Sequence, residues 1–383
     1  MVTGETVRQQ FSCRGCGSIE IERVVDLGAQ PAADHFPPVD AVTEDPRWPL
    51  ELWLCAACTL VQLGSVDAQL PEPPLAIESA TSLAHAEASV KEILRDFPEL
   101  VGARVYEFAS HHGGSWLQHL GAAGCRPVVG AGRADLVVDV HALAHEPAVG
   151  PTLRTRVDRL APGGLLVLEF HHLLSLFQGN QFDTIRHGHW SYLSLGAVVR
   201  LAAMNGLTVV SVRKVDLFGG SLQVMLRHRS DVDQDHADDS VHAVLAEEAA
   251  ARLDEPAQLA TLERHAHRTA AALHNCLVEY RAEGRTVIGY GAPSKAPVLL
   301  DLSRVGTDLL PFTVDAAPGK HGRRIPGCGI PIRPVDDLRT ARPAVVLVLT
   351  WDIVDEIMSQ LEADGGWGAT YLVPLPEPHT VSP

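Results

Sequence analysis

Four cysteines form two closely spaced pairs near the start of the chain. Cys13 and Cys16 are one pair, Cys55 and Cys58 are the other, and each pair encloses two residues. A CxxC turn places two thiolates on one side of the backbone, so two such turns together provide the four sulfur ligands of a tetrahedral zinc site. Two disulfides or unrelated buried cysteines are the alternatives. Four protein ligands leave no open position for a substrate, so the spacing predicts a structural zinc.

Histidines are concentrated at the turns of the central part of the chain. They are His111, His112, His145, His171, His172, His187 and His189. Because they lie at strand ends or in loops, we expect them to line one cleft at the carboxyl edge of a sheet, where imidazoles can hold or move a proton near neutral pH. We assign His111, His112, His171 and His172 to substrate contact. Each can instead be an exposed or structurally satisfied residue. A second metal at 171–172 and 187/189 is another alternative, although adjacent side chains splay apart.

The first strand of this central part leads into a glycine turn. Residues 104–108 read as an apolar strand, Gly113 and Gly114 follow, and a helix is predicted for 115–123. A strand, a glycine turn and a helix in this order form the first βα turn of a doubly wound sheet, where ligands bind. A carboxylate about 20 residues later usually grips the ribose of a bound cofactor. No Asp or Glu occurs between Glu107 and Asp135. The sequence therefore predicts the βα turn of a cofactor site without the carboxylate that binds the ribose.

The connection that follows this turn is too short for a crossover helix. A second strand at 127–129 runs through residues 130–133 directly into the next strand at 135–140. A crossover between parallel strands needs about a dozen residues or more. We therefore expect this half of the cofactor site to lack a helix and a strand.

The second half of the chain is more regular. Residues 165–170 form a continuous apolar run, which is typical of a strand inside a sheet. A long helix is predicted for 241–282, broken near Pro256, and it leads into a second α/β unit whose first strand is 286–290. The turn after that strand ends in Lys295 and can hold an anion at a helix start, with Lys295 contacting the substrate. A glycine turn needed only for packing is the alternative.

Length and charge limit the classes of function. The 383 residues suffice for two or three domains, which we place at 1–74, 75–240 and 241–383. A net charge of −16 argues against nucleic acid as a partner. We find no apolar run of about 18 residues and no leader, so neither a membrane nor export is expected. Seven cysteines, an odd number, suit a reducing cytoplasm. We expect a cytoplasmic protein with a small-molecule substrate, and the oligomeric state is not indicated.

Several short segments carry a resemblance to a known family. Beside the two CxxC pairs they are residues 26–31 (DLGAQP), 180–185 (NQFDTI), 219–222 (GGSL), 289–295 (GYGAPSK) and 327–334. In these segments and in the order of its parts, the chain resembles the deoxysugar C-methyltransferases of antibiotic biosynthesis. Those enzymes use S-adenosylmethionine to methylate C3 of a nucleotide-linked 4-keto sugar. The resemblance implies an α/β fold with a small zinc-binding N-terminal module, an eroded class I methyltransferase-like (Rossmann-like) central domain and a second Rossmann-like C-terminal domain.

The chain departs from this family at residues that carry chemistry. The cofactor turn resembles EIGSNDG in the family and reads EFASHHG here. After NQFDTI the family pattern is Tyr-x-Glu-His, whereas this chain has Arg186, His187, Gly188 and His189. The resemblance therefore implies that His189 takes the position of the catalytic histidine, and His145 matches a second family histidine. We place Arg186 and His187 with them as catalytic residues, with Arg186 able to hold an anionic group.

Three functions are compatible with these departures. The first is a cofactor-independent enzyme of secondary metabolism that isomerises, cyclises or rearranges a small molecule by positioning and proton transfer. Loss of a ribose–carboxylate contact typically costs about 1.5–3 kcal/mol and loss of a general base about 10²–10⁴-fold in rate. Together these losses favour this first class, in which S-adenosylmethionine is doubtful and no residue is assigned to binding it. The second is an S-adenosylmethionine-dependent C-methyltransferase acting on C3 of a nucleotide-linked 4-keto deoxysugar. The third is a non-catalytic partner protein.

Overall fold

The computed structural model describes residues 11–65, 78–109, 114–232 and 238–382. The strands are β1 (Ile21–Pro31), β2 (Arg47–Cys55), β3 (Val61–Leu63), β4 (Arg104–Phe108), β5 (Arg126–Pro127), β6 (Ala134–Val140), β7 (Leu160–His171), β8 (Ser191–Tyr192), β9 (Leu207–Val215), β10 (Ser221–His228), β11 (Val287–Tyr290), β12 (Thr313–Val314), β13 (Ile332–Arg333), β14 (Val345–Val348), β15 (Thr370–Val373) and β16 (His379–Val381). The α-helices are α1 (Ala80–Asp96), α2 (Leu117–Ala122), α3 (Val149–Arg159), α4 (Leu173–Gln178), α5 (Leu195–Met204), α6 (Asp239–Ala250), α7 (Pro256–Leu259), α8 (Thr261–Ala282), α9 (Ala296–Leu302), α10 (Val335–Ala341) and α11 (Val354–Ala363).

The first sheet is antiparallel and has the order β1-β2-β3-β8. Its fourth strand comes from the central part of the chain, because Ser191 pairs with Gln62 and Tyr192 with Val61. α5 begins after this strand, where the Ser194 side chain caps the helix by accepting a hydrogen bond from a backbone N–H. The pairing holds the loop before β8 against the N-terminal module.

The central sheet has the order β5-β4-β6-β7-β10-β9. β5, β4, β6 and β7 are parallel neighbours, while β10 and β9 are antiparallel. Each residue from Leu165 to Phe170 in β7 is at most 1% exposed, as expected of a strand covered on both faces. No helix separates β5 from β6. The short connection predicted at this point is therefore confirmed.

The C-terminal sheet has the order β13-β12-β11-β14-β15-β16, and all its pairs are parallel except β15 with β16. The helical stretch that leads to it is interrupted between α6 and α7, and Pro256 is the first residue of α7. Proline has no backbone N–H and fits only the first turn of a helix, which explains the predicted break. In the described ranges, no helix is both long and apolar enough to cross a membrane.

Candidate functional site

The two cysteine pairs converge beside the first sheet. Their four Sγ atoms lie within 4.8 Å of one another, with Cys13 and Cys58 at 3.5 Å and Cys16 and Cys55 at 3.6 Å. Zinc with tetrahedral bonds of about 2.3 Å requires sulfur–sulfur distances of roughly 3.8 Å. A hydrogen bond from Cys58 lowers the pKa of the Cys13 thiol to about 5. All four cysteines are free thiols, so the cluster fits a structural zinc and the disulfide alternative is wrong.

A cavity of about 500 Å³ lies between the central and C-terminal sheets. On one side its wall includes His141 just beyond β6 and His171 at the end of β7. On the other side it includes Gly291 after β11, Asp315 after β12 and Thr350 after β14. Ligands of parallel α/β sheets bind at the carboxyl ends of the strands. Two such edges that share one cavity, with a volume in the usual range of about 300–1,000 Å³ for small-molecule sites, make this the candidate site.

His145 and His189 lie side by side on the cavity wall. Their ring centroids are 4.9 Å apart and their planes are at 79°. His145 is 7% exposed, and its Nδ1 donates to the Gly188 carbonyl at 3.0 Å. The His189 ring also packs against the Tyr192 ring, with a centroid distance of 4.7 Å. The structure therefore brings together the two histidines for which the family resemblance implies a role.

Among the described residues, three cationic side chains lie on the cavity wall, and each is paired with a carboxylate. The pairs are Arg186 with Asp34 at 3.1 Å, Lys320 with Asp315 at 3.4 Å, and Lys295 with Asp352. The Lys295 Nζ also lies 3.7 Å from the ring centre of Trp351. Arg186 and Lys295 are thus placed at the cavity as predicted. An anionic ligand would have to compete with Asp34 and Asp352 for them.

The other predicted histidines separate into two groups. His171 lines the cavity and contacts Gln181 Oε1 at 2.7 Å, while burial lowers its pKa to about 4. His172 is not part of the cavity wall. Its Nε2 lies 2.7 Å from the carboxylate of the buried Glu248. His187 is also outside it, since its Nε2 lies 3.2 Å from the Pro49 carbonyl and its ring packs against Trp48. Burial lowers the pKa of His187.

These contacts correct two expectations about the cleft. Glu248 also accepts hydrogen bonds from the first backbone N–H groups of α5, so His172 belongs to a contact that holds α5 and α6 together. His187 packs on β2 of the N-terminal module instead of facing the cavity. His111 and His112 lie outside the described residues.

A buried cluster behind the cavity was missed by sequence reasoning. Glu169 on β7 accepts hydrogen bonds from His85 Nε2 at 2.9 Å, from His141 Nε2 at 3.2 Å and from Gln223 Nε2 at 2.7 Å. Burial opposes its ionisation, but the hydrogen bonds from His141 and His85 lower the pKa of Glu169 to about 2. No local pattern marks His85, which comes from a helix 84 residues earlier in the chain.

The turn after β4 keeps part of a cofactor site. Glu107 accepts a hydrogen bond from the Trp116 backbone N–H at 2.7 Å, and burial raises its pKa. Gly114 has a φ of +76° and donates its N–H to Glu78, which lines the cavity. Val129 lies two residues beyond β5, is 91% exposed and carries no charge. These residues fit S-adenosylmethionine only in part. Glu107 and Gly114 are present at the first turn, but the second strand ends without the carboxylate that usually binds the ribose.

Three family models match the chain, one after another. A putative zinc binding domain matches residues 13–68, a methyltransferase domain matches 83–212, and a C-methyltransferase C-terminal domain matches 216–376. C-methyltransferase NovU from Streptomyces niveus is 29% identical over 422 residues, which cover 99% of this chain and 98% of that protein.

Solved methyltransferases are more distant. The 1,6-didemethyltoxoflavin-N1-methyltransferase of Burkholderia thailandensis is 14% identical, covering 44% of this chain and 95% of that one, with a TM-score of 0.27. The magnesium protoporphyrin IX methyltransferase of Synechocystis PCC 6803 is 13% identical, covering 43% and 90%, with a TM-score of 0.29. Similarity at this level assigns no residue of this chain a role.

The matches favour one of the three functions considered. They support a methyltransferase better than the cofactor-independent isomerase or cyclase that the sequence departures favoured, and they give no reason to doubt S-adenosylmethionine as the family's cofactor. With a zinc-binding module, a methyltransferase domain and a C-methyltransferase C-terminal domain in one chain, the protein belongs to the C-methyltransferase family.

Proposed function

We propose that the protein is an S-adenosylmethionine-dependent C-methyltransferase of secondary-metabolite biosynthesis. Its acceptor would be the carbon beside the ketone of a nucleotide-linked 4-keto deoxysugar. The observation that carries this proposal is the shared cavity between two carboxyl edges, with His145 and His189 in contact on its wall. The match to C-methyltransferase NovU along almost the whole of both chains supports it.

The two sides of the cavity suit two parts of such a reaction. The central sheet presents its first βα turn, with Glu107 and Gly114, and a bound cofactor would supply the methyl group from this side. The C-terminal sheet presents the turn that ends in Lys295 and the carboxylate of Asp315. A sugar nucleotide offers ribose hydroxyls to the carboxylate and phosphates to the lysine.

The acceptor carbon must lose a proton before it can take a methyl group. The proton beside the ketone is removed, the electron pair of the C–H bond becomes an enolate, and a hydrogen-bond donor stabilises the oxygen. Gly188 stands where the family pattern has a glutamate, so a carboxylate base is missing at that position. The imidazoles of the cavity wall are the groups that can accept this proton near neutral pH.

A second candidate is favoured by one specific observation. β5 has only two residues, no helix follows it before β6, and no carboxylate lies between Phe108 and Ala134. A scaffold reduced in this way can still enolise and rearrange a ketone without a cofactor, because that chemistry needs only positioning and proton transfer. The cavity and its histidines would serve this reaction equally.

One incubation separates the two candidates. Purified protein is mixed with a dTDP-4-keto-6-deoxysugar, with and without S-adenosylmethionine carrying a ¹³C-labelled methyl group, and products are identified by mass spectrometry and NMR. We expect a product with the labelled methyl on C3 and S-adenosylhomocysteine in equal amount. Conversion of the ketosugar to an isomer at the same rate without cofactor would instead establish the second candidate. Boiled protein and the His189→Ala variant serve as controls.

A further inference from the structure

The imidazole of His141, on the cavity wall, is hydrogen-bonded to an ionised, buried carboxylate. His141 lines the cavity, and its Nε2 lies 3.2 Å from Oε1 of Glu169. Glu169 is 1% exposed and is itself not a lining residue of the cavity. By comparison, the ring of His171 is oriented by the neutral amide of Gln181. A carboxylate raises the basicity of the imidazole that it orients, whereas a neutral acceptor does so less.

The backbone holds His141 in a strained conformation that places its ring on the wall. Its φ is +58°, in the left-handed region that is unfavourable for a non-glycine residue and that persists where surrounding contacts enforce it. Those contacts are present. Asp139 accepts hydrogen bonds from the N–H groups of the two residues after His141, and buried Arg156 pairs with Asp139 at 2.7 Å. The His141 N–H itself donates to the Glu169 carbonyl at 2.7 Å.

The contact with Glu169 fixes the tautomer of the neutral ring. A carboxylate can only accept, so Nε2 of His141 must carry the hydrogen and Nδ1 must carry the lone pair. The same oxygen pair of Glu169 also accepts from His85, which is not part of the cavity wall. The cluster thus contains two similar imidazoles on one carboxylate, of which His141 is the one at the cavity.

We propose that His141 is a further proton-transferring residue of the cavity, in addition to His189, and that Glu169 is its positioning residue. The identity of the substrate rests on the proposed function, whereas the geometry of the His141–Glu169 pair is independent of it. The C–H bond beside the ketone breaks, its proton goes to Nδ1 of His141, and the electron pair forms the enolate. The carboxylate of Glu169 stabilises the imidazolium, as the buried aspartate does in a catalytic triad. His141 would thus accept the proton in place of the family's glutamate, whose position is occupied here by Gly188.

The first test measures proton transfer apart from methyl transfer. The dTDP-4-keto-6-deoxysugar is incubated in D₂O without S-adenosylmethionine, and deuterium at C3 is followed by NMR. In His141→Gln the amide can still donate to Glu169 but cannot act as a base. We expect its exchange rate to fall by about 100-fold or more, within the usual range for a general base. His172→Gln changes a contact of the same kind, with the buried Glu248 outside the cavity, and we expect exchange within about threefold of wild type. Exchange in His141→Gln at the wild-type rate would overturn the proposal.

The second test needs no substrate and distinguishes failure of this proposal from failure of the proposed function. Protein labelled with ¹⁵N-histidine is studied by NMR, with His141 assigned through the His141→Gln spectrum. We expect the Nε2–H tautomer of the neutral ring in the wild type, because Nε2 donates to Glu169. In Glu169→Leu the ring loses this acceptor, and we expect a mixture of both tautomers. An Nδ1–H tautomer in the wild type, or equal tautomer populations in the two proteins, would defeat the proposal even if no ketosugar exchanges.

Discussion

The carboxylate of Glu356 accepts a hydrogen bond from the backbone N–H of Thr81 at 3.2 Å, so a residue on α11 of the C-terminal domain caps the first turn of α1. The Thr81 hydroxyl donates to the same carboxylate at 2.5 Å. Glu356 also lines the cavity, and α1 has no acidic residue of its own in its first turn. The contact therefore joins the two walls of the site at their rim.

We expect Glu356→Ala to lower the free energy of unfolding by about 1 kcal/mol, which is typical for the loss of a helix cap. The substrate KM should rise while kcat changes less, because the two walls lose a link that does not touch the reacting atoms. Denaturant unfolding and steady-state kinetics measure these effects. In Glu356→Gln the amide oxygen can still accept, so most of the stability should return. Equal losses in both variants would contradict a capping role.

Replacement of His189 by alanine should lower turnover by at least about tenfold, because the ring lies on the cavity wall against His145 and belongs to the group that can donate or accept a proton there. His187→Gln is the matched control. It lies two residues away, packs against Trp48, and should keep turnover within about threefold. Unchanged turnover in His189→Ala, with the fold intact by circular dichroism, would show that His189 is not part of the reaction.

Replacement of Cys55 by serine should remove zinc and reduce the yield of folded protein before it alters any chemistry. Metal binding at a four-cysteine site is coupled to folding, and Cys55 is fully buried in the cluster. Metal analysis should give one zinc per chain for the wild type and much less for the variant. Cys276→Ser, on α8 and outside the cluster, should retain the metal. Wild-type protein purified without chelator but containing little zinc would contradict the prediction.

Local signals in the sequence were sufficient for the zinc cluster and for the interrupted helix. CxxC spacing is a property of a few neighbouring residues, and so is the exclusion of Pro256 from a helix interior. The carboxyl-edge rule was only partly sufficient: His145, His171 and His189 line the cavity, whereas His172 and His187 do not. A strand end can be predicted from a short apolar run, but the direction of a side chain beyond it cannot.

Contacts between distant segments could not be predicted from local sequence patterns. His187 and His189 differ by only two positions, yet one packs on β2 and the other faces the cavity. The two rings face different ways because β3 pairs with β8 just after them. No sequence pattern near residue 191 predicts this two-residue strand. His85 joins Glu169 only because α1 packs against the sheet. These relationships depend on tertiary packing, which a single sequence does not display.

Asp183 should make stability depend on pH in a direction unusual for a carboxylate. The side chain is fully buried, accepts from Trp351 Nε1 at 2.8 Å through one oxygen, and has its pKa raised by burial to about 6. The folded state therefore binds the proton more tightly than the unfolded state. This stabilisation is complete below about pH 4 and is lost as the pH rises through 6. The loss amounts to about 3 kcal/mol at most, at about 1.4 kcal/mol per pKa unit.

Asp183→Asn removes this ionisation while keeping an oxygen for Trp351. We expect its free energy of unfolding, relative to wild type, to increase between about pH 4 and 7 and then to level off. Urea unfolding at several pH values measures the difference. Two curves that stay parallel over this range would mean that Asp183 ionises normally in the folded protein.

The cofactor edge of the central sheet lacks a charged residue at the end of its second strand. Val129 follows β5 and is 91% exposed, at the end of the second strand, where a ribose-binding carboxylate is usual. If S-adenosylmethionine binds at this edge, Val129→Asp should tighten binding by about tenfold, since a hydrogen bond to a charged group contributes about 1.5 kcal/mol or more. Calorimetry on wild type, Val129→Asp and the equally exposed control Val42→Asp measures this, and only the first substitution should change the Kd. Equal effects of both aspartates would mean that general charge, not a ribose contact, is responsible. Absence of binding in all three proteins would remove the cofactor from this edge and favour the cofactor-independent candidate, because the β5–β6 connection would then have lost the site together with its carboxylate.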